Sequence, residues 1–279
     1  MSTRINALGA DDAPLLWLDY ADYAAKLLAQ GTAPWLNTTD CVAWLRKAQG
    51  LLRSDVVTLP LHTIALAWVS ARADVRQAMG ARKKPGYPLK TLLGDEALRT
   101  HLTELTNGLR ASFSNSILAL SVPVPGAWLE LAYRHAFGAE TPVDIDDDAV
   151  DSAAVHIADL LRIFGQCGVD TLLLDASANT TVITQTTLEL YQPIFNVCGH
   201  YRWRAGLLAP HGFEGSAPAD LTFAVTRQRQ GNVNPLEFLP EDFWGAEVGS
   251  AVSRGKRLFA HIPMDSAPET VLQRLVTLR

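Results

Sequence analysis

Asp175 follows the apolar run Leu172-Leu173-Leu174 and precedes Ala-Ser-Ala-Asn. A carboxylate at the end of a buried strand is partly desolvated, which suits it to act as an acid, a base or an anchor for a cation. The same place also suits a residue that holds the following loop through backbone hydrogen bonds. Ser177 and Asn179 share that loop as candidate substrate contacts. His261 closes a second strand-like run, KRLFAHIP, where strand alternation puts it on the side of Pro263 and opposite Ile262. An imidazole there can move protons near neutral pH. His62, two residues past Pro60, and His211, directly after Pro210, hold comparable places at strand ends. Arg227 ends LTFAVTR, and its guanidinium matches a carboxylate in bidentate fashion. The catalytic candidates are therefore Asp175, His261 and His211; the substrate-binding candidates are His62, Ser177, Asn179 and Arg227.

Other chemistries find less in the sequence. GxSxG, HExxH and paired CxxC are absent, as are GxGxxG and GxxxxGK[ST]. Cys198 and His200 are close enough to suggest a metal pair, but YQPIFNVCGHY reads as a helix, where residues two apart point about 200° apart. Cys198 then reads as a small buried apolar residue. The expectation is a site without bound metal or organic cofactor. DIDDD, residues 144–148, lacks the alternating ligands and central glycine of a calcium loop, and reads as the acidic approach to a helix N-terminus.

The elements that must position these residues alternate along the chain. Helical spacing marks 12–29, 38–52, 64–80, 92–112, AWLELAYRHAFG, SAAVHIADLLRIFGQCG, TTLELYQPIFNVCGHY (186–201) and APETVLQRLVTL. RKKPGYP reads as a loop. Short apolar strands are expected near 56, 118, 172, 206, 223, 247 and 259, the sixth of them WGAEVGS, residues 244–250. Continuous apolar strands between helices imply parallel strands covered on both faces. Seven strands are one short of a closed barrel, so the expected fold is α/β, an irregular TIM-like (β/α)8 barrel with a poorly marked eighth strand. It would be a single domain over 1–279, with 1–52 as a helical cap or extra layer. Such a barrel carries function at the carboxyl ends of its strands.

Composition narrows the partners. The 279 residues carry 24 basic and 29 acidic side chains, a net charge of -5, and are 48% hydrophobic. That balance offers no broad basic field for nucleic acid. No apolar run is long enough for a membrane span, and the N-terminus lacks the apolar core of a signal peptide. Three scattered cysteines suit a reducing cytoplasm better than a disulfide framework. A small, anionic substrate is the expected partner.

FGQCGVDTLLLDASA, residues 164–178, with SVPVPGAW at 121–128 and HIPMDSAPETV at 261–271, resembles phrases of the barrel superfamily that includes uroporphyrinogen decarboxylase and the cobalamin-independent methionine synthases. The resemblance implies a barrel over about 50–279 and two chemistries. One is decarboxylation without metal or cofactor, with arginines and an aspartate holding the substrate. The other is methyl transfer to a zinc-activated thiol or a corrinoid partner. The arginine-rich N-terminal loop of the decarboxylases has no match in WLDYADYAAKLL, and Asn196 stands where methyltransferase relatives place a zinc-binding histidine before the cysteine. The leading expectation is a metal-independent, decarboxylase-like lyase on a small carboxylated compound. The alternatives are a methyltransferase or demethylase and a noncatalytic binding barrel. Relatives also include dimers, so a homodimer is a further expectation from the resemblance.

Overall fold

The computed structural model describes residues 14–179, 182–227, 233–245 and 256–279. Eight parallel strands form a nearly closed barrel: β1 (Leu15–Asp19), β2 (Val56–Pro60), β3 (Ile117–Pro123), β4 (Thr171–Asp175), β6 (Arg204–Leu208), β8 (Leu221–Thr226), β9 (Asn234–Leu239) and β10 (Arg257–His261). From β2 onward each barrel strand pairs with the next in chain order, and β10 returns to pair with β1 from Leu15↔Arg257 to Asp19↔His261. Two short strands, β5 (Ile183–Thr184) and β7 (Phe213–Glu214), pair separately beyond the ends of β4 and β6. The fold is thus an irregular (β/α)8 barrel.

One seam lacks a backbone ladder. Between β1 and β2 the wall is closed mainly by side chains: Leu16 N–H donates to Asp55 Oδ2 at 2.8 Å and Leu18 N–H to Ser54 Oγ at 3.0 Å. Asp55 N–H returns to the Leu16 carbonyl at 2.9 Å, and Trp17 Nε1–H crosses the seam inside the barrel to Thr58 Oγ1 at 2.9 Å.

The barrel interior is a packed core. Trp17 is fully buried, with its ring 6.0 Å from Phe223 and 5.7 Å from Phe259, and Phe238 stacks on Phe259 at 5.9 Å. Gly206 on β6 makes room for Phe223, since a Cβ there would sit 2.0 Å from the Phe223 ring. Smaller inward residues, among them Val56, Ala119 and Leu173, fill the rest.

Helices cover the outside unevenly. After β1 come α1 (Ala21–Leu28) and α2 (Thr38–Leu52); after β2 come α3 (Leu61–Ala71), α4 (Ala73–Met79), α5 (Gly86–Leu93) and α6 (Glu96–Ser112). α7 (Pro125–Phe137) and α8 (Asp147–Leu161) follow β3, α9 (Gln185–Glu189) and α10 (Gln192–Tyr201) follow β4, and α11 (Pro268–Leu278) follows β10. Asn37, Asp95 and Asp146 cap α2, α6 and α8 through backbone N–H groups three residues on. The acidic run before α8 therefore serves the helix start.

Five element readings need correction; one is the single helix read over 186–201, which is two, Gln185–Glu189 and Gln192–Tyr201. Residues 12–29 are not one helix, because Leu15–Asp19 is the first barrel strand and only Ala21–Leu28 is helical. That strand is the eighth member the sequence left unmarked, so part of the segment through residue 52 belongs to the barrel wall. Residues 64–80 form two helices, broken where Arg72 is extended, and Gly86 opens a helix within the supposed RKKPGYP loop. The strand read at 244–250 falls on Trp244, which ends a turn of 3-10 helix over Glu241–Trp244, and then on residues largely outside the described ones. The strand that fills this place in the wall is β9, ten residues earlier.

Candidate active site at the barrel mouth

Inward residues at the carboxyl ends of the strands leave a cavity of about 160 Å³ above the aromatic core. Trp17, Leu173, Leu208 and Phe259 form its floor, and Asp19, Asp22, Thr58, His62, Ser121 and Asp175 supply its polar groups. Asp19 and Asp175 are the last residues of β1 and β4, so the mouth position follows from strand alternation. Asp22 comes from the first turn of α1, and His62 from the first turn of α3.

His261 and Asp19 are register partners on β10 and β1, and their side chains meet, His261 Nδ1 lying 3.0 Å from Asp19 Oδ2. The pair is partly exposed, 33% for His261 and 44% for Asp19. The hydrogen bond to Asp19 raises the His261 pKa above its ordinary 6.5, against the opposing effect of burial; Asp19, Glu241 and Asp22 add their charges in the same direction. With Nδ1 held by Asp19, Nε2 is the nitrogen left to exchange a proton with a ligand.

His62 is the opposite case. Burial lowers its pKa below 6.5, and the charges of Asp175, Asp19 and Asp22 offset this only in part. Its Nε2 lies 3.3 Å from Thr63 Oγ1, whereas Nδ1 is buried without a hydrogen-bond partner. One neutral imidazole therefore faces all three carboxylates of the mouth. Tyr20 lines the same cavity, its hydroxyl 3.4 Å from Gln49 Oε1; burial, and then the Asp19 charge, push its pKa far up and keep it protonated.

Asp175 lines the cavity, and its Oδ1 accepts the Ser177 N–H at 2.8 Å, which holds the following loop. Of the other candidates, His62 lines the cavity, and His261 joins its edge through Asp19. His211 is exposed in the turn after β6 and does not line the cavity. Ser177 is exposed and Asn179 half-buried in the loop after β4, and neither lines the cavity. Arg227 is exposed just past β8, with its guanidinium carbon 5.7 Å from the Phe238 ring centroid. Cys198 is 2% exposed within α10, and burial pushes its thiol up to about 12; His200 points to the exposed side.

Sequence reasoning missed Asp19, Asp22, Thr58 and Ser121. A signal for Asp19 was present, since LLWLD at 15–19 repeats the form of TLLLD at 171–175. Among the described residues no group of three or more His, Cys, Asp and Glu side chains is arranged to hold a metal ion. No described helix is long and apolar enough to cross a membrane. No family model matches this chain, and no curated protein matches it. What it shares with the decarboxylase and methionine synthase barrels is the general architecture, a parallel barrel surrounded by helices.

Proposed function

We propose that the protein is a metal-independent lyase that decarboxylates a small molecule at the barrel mouth. The observation that carries this reading is the convergence of the Asp19–His261 pair, His62 and Asp175 on one cavity at the carboxyl ends of the strands. Asp175 anchors a hydroxyl or cationic group of the substrate through the oxygen not engaged by Ser177. Arg227, on the β8 side, draws the carboxylate. The bond to that carboxylate breaks, carbon dioxide leaves, and the electron pair passes into the π-system of the substrate. His261, its pKa raised by the hydrogen bond to Asp19, then delivers a proton from Nε2 to the carbanion and is reprotonated from water. His62, neutral, accepts a proton where the substrate must first be deprotonated.

The volume sets the substrate scale. A cavity of about 160 Å³ is comparable with the roughly 150 Å³ that accommodates a benzene ring, so a tetrapyrrole does not fit within it. Methyl transfer through a thiol gains nothing from Cys198, which is buried in α10 with a raised pKa.

The test is a panel of small β-keto and aromatic carboxylic acids bearing hydroxy or amino groups, whose π-systems can take the electron pair, scored for carbon dioxide release in deuterated water. A turned-over substrate should take up one deuteron at the carbon that lost its carboxylate. His261→Gln and Asp175→Asn should lower turnover by roughly 10²-fold or more, the usual worth of a positioned acid or base, while circular dichroism stays unchanged. Ligand binding without carbon dioxide release across the panel would instead make the barrel a noncatalytic binding module.

A further inference from the structure

We propose that the mouth cavity selects a small amphipathic cation, a short hydrocarbon body carrying an ammonium group. This rests on the reading of the mouth as the ligand site and adds the charge of the group it holds. Three carboxylates from separate elements line the cavity, Asp19 on β1, Asp22 on α1 and Asp175 on β4, and its lining includes neither Lys nor Arg. Only Asp19 has an ionic partner, His261; among the described residues neither Asp22 nor Asp175 is in an ion pair. An anion entering here would meet uncompensated like charge, whereas an ammonium supplies the missing counter-charge.

The remaining hydrogen-bond capacity points the same way. Asp175 uses Oδ1 for Ser177 N–H, which leaves Oδ2 as an acceptor. His62 can donate from Nε2 to Thr63 Oγ1, and its buried Nδ1 is then a second acceptor without a donor. A primary ammonium brings three donors and no acceptor, the complement of such a set. Below this polar rim the floor of Trp17, Leu173, Leu208 and Phe259 is apolar and aromatic. It suits a hydrocarbon chain. In a decarboxylation substrate the ammonium would lie in the cavity and the carboxylate outside it, toward Arg227.

The probes are n-butylammonium, n-butanol and butyrate, titrated at one ionic strength by calorimetry into the full chain and into D175N, D22N and, as a surface control in α8, D148N. Saturable n-butylammonium binding is expected, at least tenfold tighter than butyrate. Loss of a hydrogen bond to a charged group should weaken it about tenfold in D175N. The exposed Asp22 should contribute about threefold, and D148N should change nothing. Butyrate binding as tightly as n-butylammonium, n-butylammonium affinity unchanged in both D175N and D22N, or no binding by any probe would each overturn the proposal. These outcomes are separable from the lyase reading. Failure to release carbon dioxide leaves the charge preference standing, and a butyrate preference leaves room for decarboxylation.

Discussion

His62 and His261 lie within one mouth but are displaced in opposite directions from the same ordinary pKa of 6.5, His62 downward by burial and His261 upward by its hydrogen bond to Asp19. His62 can act as a base only when neutral, hence above its lowered value; His261 can act as an acid only when protonated, hence below its raised value. Activity should therefore follow a bell, with an acid limb below pH 6.5 and an alkaline limb above it. Asp19→Asn removes the charge that holds His261 up, so the alkaline limb should move down toward 6.5. It also removes one of the charges that support protonation of His62, so the acid limb should move down as well. A kcat/KM profile of the wild type and this variant checks both shifts, and an unmoved alkaline limb would remove His261 from the acid role. Asp175, His62 and His261 were legible because each stands next to a strand end marked by an apolar run or a proline. Asp19 was not, because LLWLDYADYAAKLL joins strand to helix without a break residue and the helical period of the second half extends over the first. His211 has the same local signature as His62 yet lies exposed in a turn, since proximity to a strand end does not fix which way a turn carries the side chain.

At the scale of elements, the strands that were legible are those covered on both sides. All seven residues of β3 are buried, and β4 is TLLLD, buried through Leu174. β9 reads NPLEFL, with Asn234, Pro235 and Glu237 only half-buried and Lys256 paired to Glu237 on the outside. Among the described residues no helix separates β8 from β9, and the outward Pro235 and Glu237 of β9 are only half-buried, so its sequence alternates instead of running apolar. The seam between β1 and β2 depends on a different device. Leu16 is buried, and its N–H reaches across to the Asp55 carboxylate in place of a strand carbonyl. Asp55→Ala would strand that N–H, at a cost of about 1–3 kcal/mol, whereas Asp55→Asn keeps an acceptor oxygen and should recover most of the loss. Urea unfolding of the two variants decides this; a loss below about 0.5 kcal/mol in Asp55→Ala would mean that the remaining seam contacts suffice.

Over the whole molecule, closure joins parts of the chain that are far apart in sequence. The pairing of β1 with β10 brings Leu15 to Arg257 and Asp19 to His261, and Lys26 on α1 forms an ion pair with Asp265 beyond β10. β1 has β10 on one side and only the side-chain seam on the other, so β10 supplies its one backbone ladder. Without β10, Trp17 would also lose Phe259 from its packing, and β1 and β9 would become open edges. The helices around β2 to β4 do not depend on this closure, since α5 packs on α7 and α8, and α2 on α6. Removing residues 256–279 should therefore spare much of the helical circular dichroism but abolish the single cooperative unfolding transition. It should also strip hydrogen-exchange protection from Leu16, Trp17 and Leu18 and eliminate n-butylammonium binding, because Asp19 loses both its strand partner and His261. A truncated chain that still unfolds cooperatively with protected β1 amides would show that the barrel core, with the seam, holds β1 without its ladder. The mouth would then depend on local strand packing and not on closure of the ring.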